Sequence, residues 1–161
     1  MKHTTTKLLL AVIISELAGV VGAFFTTPSI QTWYATLAKP ELSPPNWIFC
    51  PVWVTLYLLM GIAAFLVWRK GFEHKAVKIA LGVFVFQLVL NSLWSILFFG
   101  LHNPLWAFIE IIVMWLAIIA TMFTFYKVSK PAMYLLVPYI LWVSFAAYLN
   151  YEIWKLNLLL G

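Results

Sequence analysis

Amide and aromatic side chains recur at helical spacing in three of the most apolar parts of the chain. The stripes comprise Gln87, Asn91, Trp94 and Ser95; Trp53, Tyr57 and Gly61; and Tyr139, Trp142, Ala146, Leu149 and Asn150. Within each stripe the spacing places the side chains on one face of a helix. Brought together, the three faces would line a pocket for a large, flat and mostly apolar ligand with a few polar groups. Alternatively, the amides only join helices by hydrogen bonds.

The sequence contains few signs of enzyme chemistry. It has no nucleotide-binding loop, no G-x-S-x-G and no HExxH, and His3, His74 and His102 lie near termini or loops. These histidines therefore predict no metal site. Two carboxylates, Glu16 and Glu110, fall within apolar segments, but on different ones, so they do not define a catalytic pair.

The composition is typical of an integral membrane protein. Of 161 residues, 65% are hydrophobic and 9% charged, whereas soluble domains are about 45–50% apolar and about 25% charged. The single cysteine, Cys50, excludes an intramolecular disulfide. The net charge of +5 comes from basic residues beside apolar segments, which points to contact with membrane lipid and not to nucleic acid.

Five apolar segments are long enough to cross a bilayer. The predicted helices are 8–25, 46–68, 79–99, 104–126 and 132–151. We expect one all-α domain over residues 1–161, a bundle of five transmembrane helices. The N-terminal run is interpreted as the first helix and not as a cleaved signal peptide, because it contains Glu16 and is long enough to span.

Local signals define several helix boundaries. Asn103 before Pro104 predicts an N-cap with proline at the first helical position, and Pro131 is expected to do the same for the fifth helix. Arg69, Lys70 and Gly71 are expected to end the second helix. Pro138 should kink the fifth helix.

The first connector, residues 26–50, is rigid, aromatic and nearly uncharged. Thr27 and Pro28 predict a helix start, and Ile30, Trp33, Tyr34 and Leu37 form one face of a short amphipathic helix. The remainder through Pro45 should be extended, since proline restricts its own backbone and that of its predecessor. This connector is interpreted either as the lid of a binding cavity or as an aromatic belt at the membrane boundary.

Small residues recur along the first helix. Ala11, Ser15, Gly19 and Ala23 follow at four-residue spacing, and Ala18 with Gly22 forms a second pair. Such a face favours close helix packing. The pattern leaves open whether its partner lies in the same chain or in a second copy.

Basic residues are distributed unequally between the two sides of the bundle. One side holds Lys39 and Lys155, and the other holds Lys2, Lys7, Arg69, Lys70, Lys75, Lys78, Lys127 and Lys130. The positive-inside rule therefore predicts a cytoplasmic N-terminus. We expect the membrane to be that of a bacterial cell.

Several motifs together resemble the signature of the TspO/MBR family of tryptophan-rich sensory proteins and translocator proteins, also called peripheral benzodiazepine receptors. The motifs are Trp33-Tyr34, Lys39-Pro40, Pro44-Pro45-x-Trp47, Pro51-Val52-Trp53, Leu56-Tyr57-x-x-Met60-Gly61, Gln87-x-x-x-Asn91-x-x-Trp94-Ser95, Phe98-Phe99-Gly100, Pro138-Tyr139-x-x-Trp142 and Leu149-Asn150-Tyr151-x-x-Trp154. The resemblance implies a five-helix bundle, often a homodimer, with a ligand cavity closed by the first loop. It also implies ligands such as protoporphyrin IX, cholesterol and benzodiazepine-type drugs, with no required cofactor.

The resemblance places pocket residues at Trp33, Trp47, Trp53, Asn91, Trp94, Trp142 and Ala146. Together with the stripes and the connector, the predicted ligand-binding set is Trp33, Tyr34, Pro44, Trp47, Phe49, Trp53, Tyr57, Gln87, Asn91, Trp94, Tyr139, Trp142, Ala146 and Leu149. Leu149, Tyr151 and Lys155 fit a cholesterol consensus, which is a weak pattern alone. Some members dimerise through small residues on the third helix. Here that helix has only Ala80 and Gly82 near its start, which leaves the dimer surface undetermined.

Three functions fit these observations. The leading hypothesis is a membrane receptor or carrier for tetrapyrroles or related planar lipids, with a role in transport or stress sensing. The second is a light-dependent porphyrin-degrading enzyme, since the family reaction is linked to tryptophans matching Trp53 and Trp142. The third is a regulatory membrane partner whose pocket is incidental.

Overall fold

The computed structural model describes residues 2–158, with the side chains of residues 4–158. Within this range all regular structure is helical, and five spans are long and apolar enough to cross a membrane. The predicted all-α bundle of five membrane helices is therefore confirmed. The spans are Thr4–Ile30, Asn46–Trp68, Lys75–Gly100, Pro104–Val128 and Lys130–Leu158.

Seven α-helices build these spans and the first connector. They are α1 (Lys2–Ile30), α2 (Trp33–Thr36), α3 (Phe49–Trp68), α4 (Lys75–Ser95), α5 (Pro104–Val128), α6 (Lys130–Tyr134) and α7 (Val137–Leu158). A 3₁₀ turn, Asn46–Ile48, leads into α3, and a π-helical turn, Ile96–Gly100, continues α4.

The helices pack around one apolar core. Helix α1 lies between α3 and α4, α4 packs on α5, and α5 packs on α7. The ring is closed by α6, which contacts α3. Met60, Ile118 and Phe125 are fully buried in this core.

The first helix is longer than predicted. It does not end at Phe25 but continues through Pro28 to Ile30, and the amphipathic helix expected from Pro28 is the single turn α2. Proline removes one backbone donor, but its own backbone angles are compatible with a helix, so the loss is small this close to the end. Ser29, next to Pro28 in α1, fixes this end of the helix to the turn after α4, because its Oγ donates to the Phe99 carbonyl at 2.7 Å.

Three other spans extend beyond the predicted apolar segments. Helix α4 begins at Lys75, four residues before the predicted start at Ile79, and α5 ends at Val128, two residues after the predicted Tyr126. The last span runs from Lys130 to Leu158, beyond the predicted limits of 132 and 151. Long basic side chains continue a helix into the membrane interface, where their charged ends reach water. An apolar segment therefore marks only the inner part of a span.

Local signals act where the sequence indicated. The Asn103 side chain accepts a hydrogen bond from the Trp106 backbone N–H at 3.1 Å and caps α5. Gly71, with φ of +109°, follows the end of α3, a conformation that favours glycine. The fifth span is interrupted between Tyr134 and Val137, directly before Pro138, as expected where proline leaves a carbonyl one turn back unpaired.

The small-residue face of α1 packs within the chain. A Cβ added at Gly61 of α3 would lie 2.6 Å from the Val12 Cα of α1. One added at Gly22 would lie 2.9 Å from the Ser95 hydroxyl. At these positions the face joins α1 to α3 and α4 within the chain.

Candidate functional site

A cavity of about 280 Å³ lies between α1 and α3 in the half of the bundle that contains α2, here called the loop end. Its remaining walls come from α4, the π-helical turn that follows it, and α7. The lining residues are Glu16, Gly19, Val20, Gly22, Ala23, Thr26, Thr27, Ile30, Tyr34, Asn46, Phe49, Cys50, Trp53, Val54, Tyr57, Trp94, Ser95, Phe98, Phe99, Trp142, Ala146, Leu149, Asn150 and Ile153.

Aromatic rings form the walls of this cavity. Trp53 and Tyr57 stack with their centroids 5.6 Å apart, and Trp94 and Phe98 stack at 5.3 Å. Trp142 meets Phe49 edge to face at 6.3 Å. These flat surfaces suit a planar, mostly apolar ligand.

Small residues on α1 make room for the rings. A Cβ added at Gly19 would lie 2.5 Å from the Tyr57 ring. The ring therefore occupies space that a side chain at position 19 would fill, and glycine is required there by close approach.

A buried hydrogen-bond network supports the deep end of the cavity, the end nearest the middle of the membrane. The Tyr57 hydroxyl donates to Asn91 Oδ1, and Asn91 Nδ2 donates to the Tyr139 hydroxyl at 2.8 Å. The Tyr139 hydroxyl donates in turn to Gln87 Oε1, also at 2.8 Å. The network fixes the Tyr57 ring that faces the cavity and joins α3, α4 and α7.

A second polar contact fixes the opposite wall. Trp94 Nε1 donates to Asn150 Oδ1 at 3.0 Å, and Asn150 Nδ2 donates to the Pro104 carbonyl at 2.7 Å. Since the indole N–H bonds an amide that is itself joined to a backbone carbonyl, the orientation of the Trp94 ring is set by the protein before any ligand binds.

Helix α2 and the residues after it lie over the loop end of the cavity. Tyr34 is only 4% exposed, and burial raises the pKa of its hydroxyl above the ordinary value. Lys39 Nζ lies 4.7 Å above the centre of the Tyr34 ring. The backbone of Ala38 is joined to α7 by two hydrogen bonds with the Asn157 side chain, each 3.0 Å long.

The structure brings part of the predicted ligand-binding set to the cavity. The lining members are Tyr34, Phe49, Trp53, Tyr57, Trp94, Trp142, Ala146 and Leu149. Gln87, Asn91 and Tyr139 lie behind the wall in the buried network. For Gln87 and Asn91 the structure therefore matches the alternative interpretation, in which amides join helices.

Three predicted residues of the connector lie away from the cavity wall. Trp33 stacks on His102 with ring centroids 4.4 Å apart, and Trp47 is 73% exposed. Pro44 is half-buried in the segment before α3. These three residues are not among those that line the cavity.

The sterol consensus is divided between two faces of α7. Leu149 is buried and lines the cavity, whereas Tyr151 is exposed and packs beside Phe108 and Trp154. Lys155 Nζ lies 6.0 Å from the centre of the Tyr151 ring. One small ligand within the cavity therefore contacts only the first of the three consensus residues.

Sequence reasoning missed the contribution of α1 to the cavity. Glu16, Gly19, Val20, Gly22 and Ala23 all line it. The signal was present as the small-residue face, but that pattern predicts close packing and a cavity wall equally well. Glu16 next to this face was the one feature that distinguished it from a plain packing surface.

The described residues contain no cluster of three or more potential metal ligands. Glu16 lines the cavity, while Glu110 is buried on α5 and does not. The two carboxyls therefore do not share a site. The arrangement is suited to binding, with aromatic walls, fixed polar groups and a connector over the opening.

Comparisons with known proteins give a consistent result. The model of the TspO/MBR family matches residues 11–155. "Tryptophan-rich protein TspO" of Archaeoglobus fulgidus is 48% identical over 92% of this chain and 96% of its own. The protein of the same name from Chlorobaculum tepidum is 45% identical over 86% and 88%, and "Translocator protein" of Bos taurus is 40% identical over 90% and 86%.

Proposed function

The chain belongs to the TspO/MBR family, and we propose that it binds porphyrins of the protoporphyrin IX type in the cavity between α1 and α3. Family membership supports a membrane receptor or sensor role. Sterols and benzodiazepine-type molecules are related planar apolar ligands for the same site. Binding would serve tetrapyrrole transport or stress sensing.

The observation that supports this proposal most strongly is the aromatic wall of the cavity. Trp53, Trp94 and Trp142 reach the cavity from three different helices, and two of these rings stack on a neighbouring ring. A flat conjugated ligand gains both apolar burial and offset stacking from such a surface, about 0.5–1.5 kcal/mol for each aromatic pair beyond burial.

We expect the first connector to move when a porphyrin binds, because the cavity is small. The volume of about 280 Å³ is at the lower end of ligand pockets, which are roughly 300–1,000 Å³. Among the described residues, the paired bonds between Ala38 and Asn157 and the packing of α2 hold the connector against the bundle. We therefore expect slower porphyrin binding than simple diffusion would allow.

Quenching of tryptophan fluorescence by protoporphyrin IX tests the proposal. The protein in lipid nanodiscs should saturate at one ligand per chain, and Trp142→Phe should weaken binding about three- to tenfold through loss of ring contact. Trp106→Phe is the matched control, because Trp106 is 58% exposed and outside the cavity. Non-saturating quenching, equal in all three proteins, would mean that porphyrin only partitions into lipid.

Light-dependent porphyrin degradation is a second function that one observation favours. The indoles of Trp53 and Trp142 both line the cavity and would lie beside a bound porphyrin. The test illuminates the complex in air and follows a defined product over many turnovers. Equal bleaching by free tryptophan or by heat-denatured protein would exclude enzyme catalysis.

We further propose that the N-terminus is cytoplasmic, because basic residues concentrate at that end of the bundle. A cysteine introduced at Lys75, with Cys50 replaced, should be shielded from an impermeant thiol reagent in intact cells. Labelling from outside would reverse the proposed orientation.

A further inference from the structure

Glu16 is the one carboxylate among the residues that line the cavity. It lies at the midpoint of α1, opposite the loop end, and near the Tyr57 ring of α3. The cavity therefore reaches from the loop end to the middle of the membrane, and it has a carboxyl group at its deep end.

The Glu16 carboxyl has no protein partner in the part of the chain that the structure describes. No hydrogen bond or ion pair to it is formed by any described residue, and the neighbouring Tyr57 hydroxyl is directed to Asn91. A carboxyl at this depth is costly without a partner, and such groups characteristically face a cavity or a binding pathway. The missing partner is a donor that a ligand could supply.

Charge is confined to one end of the cavity lining. Glu16 lies at the deep end, and the other lining residues are uncharged. Lys39 lies above the Tyr34 ring on the first connector, but it does not line the cavity. This distribution favours a ligand that places its donor groups inward, toward Glu16.

We propose that Glu16 makes the cavity selective for planar aromatic ligands that carry a cationic nitrogen or an N–H donor at their inner edge. The inference rests on the proposed function in taking this cavity as the ligand site. Glu16 would accept a charge-assisted hydrogen bond from that nitrogen. Planar aromatic amines match this distribution, whereas the N–H groups of a metal-free porphyrin lie at the centre of its ring and not at an edge.

Three probes of one ring shape and different charge test the selectivity. They are 9-aminoacridine, a cation at neutral pH, uncharged 9-methylanthracene, and anionic 9-anthracenecarboxylate. Equilibrium dialysis against the protein in zwitterionic nanodiscs, with empty nanodiscs subtracted, gives each dissociation constant. The wild-type protein should bind 9-aminoacridine most tightly.

The Glu16→Gln variant separates charge recognition from shape. It should weaken 9-aminoacridine binding about tenfold, the loss expected for one charge-assisted hydrogen bond, and change 9-methylanthracene binding less than about twofold. Binding of the anion should improve. Glu41→Gln is the matched control, because Glu41 is exposed on the first connector and does not line the cavity.

The inference is overturned if 9-aminoacridine binds Glu16→Gln and wild type equally, if all three probes weaken together, or if none binds above empty nanodiscs. If the proposal that the cavity binds porphyrin is wrong, the experiments give a different pattern. Charge selectivity that depends on Glu16, in a protein that protoporphyrin IX does not saturate, would leave the inference standing and remove only the proposed ligand.

Discussion

Substitution of Gly61 by alanine should separate α1 from α3 and destabilise the bundle. The added Cβ would lie 2.6 Å from the Val12 Cα and 3.1 Å from the Ala11 carbonyl oxygen. Both contacts are with backbone, so no side-chain rotation can relieve them. Carbon atoms pack best about 3.5–4.0 Å apart, so the helices must move about 1 Å.

The expected magnitude follows from two opposing effects. Alanine favours the helical state over glycine by about 1 kcal/mol. Overpacking a filled interface costs about 1–3 kcal/mol. Because the clash involves backbone, we expect the cost to exceed the gain, with a net loss of up to about 2 kcal/mol in the free energy of unfolding.

Gly82→Ala provides the matched control. A Cβ at Gly82 would meet nothing within 4 Å, so this variant should be as stable as wild type or up to about 1 kcal/mol more stable. Reversible unfolding of each variant in mixed micelles, followed by circular dichroism, measures the difference. Equal stability of the two alanine variants would refute the inference that α1 and α3 are in close backbone contact.

Three further substitutions have defined outcomes. Tyr139→Phe removes a hydroxyl that bonds Asn91 and Gln87. It should cost about 1–2 kcal/mol of unfolding free energy by the same assay, with a smaller effect on porphyrin affinity. A loss of affinity without a loss of stability would contradict this role. Glu110→Met should stabilise the protein by about 1–3 kcal/mol, because both buried carboxyl oxygens of Glu110 lack a hydrogen-bond partner among the described residues. Destabilisation would show that the carboxyl group has a hydrogen-bond partner. Burial raises the pKa of Tyr34, so above pH 10 this hydroxyl loses its proton in the unfolded state first, and the free energy of unfolding falls as pH rises. Tyr34→Phe should make this fall less steep. An unchanged dependence of unfolding free energy on pH would contradict the prediction.

The presence of five membrane spans could be predicted from the length of the apolar segments, whereas their ends could not. The cap at Asn103 and the interruption before Pro138 are also local, since each depends on one side chain and the adjacent turn. The continuation of α1 through Pro28 could not be predicted in this way. It is supported by the bond from Ser29 to the Phe99 carbonyl, a contact between residues far apart in the chain.

The sequence predicted the type of candidate site, but it did not predict all of the residues that line it. The stripe with Trp94 does face the cavity, but Asn91 on the same stripe bonds two tyrosines behind the wall. Helical spacing predicts the face of the helix on which a residue lies. It does not predict whether that face meets a packed side chain or a cavity. The wall formed by Gly19 depends on the position of Tyr57, which only tertiary packing sets.

Alkylation of Cys50 tests the central claim most directly. This thiol is the only one in the chain, is exposed, and lines the cavity between α1 and α3. The rate of reaction with N-ethylmaleimide is measured in the wild-type protein with and without saturating protoporphyrin IX. We predict that the porphyrin slows alkylation at least about tenfold, because a ligand stacked on the aromatic walls covers the thiol. An unchanged rate at saturation would show that the porphyrin binds elsewhere.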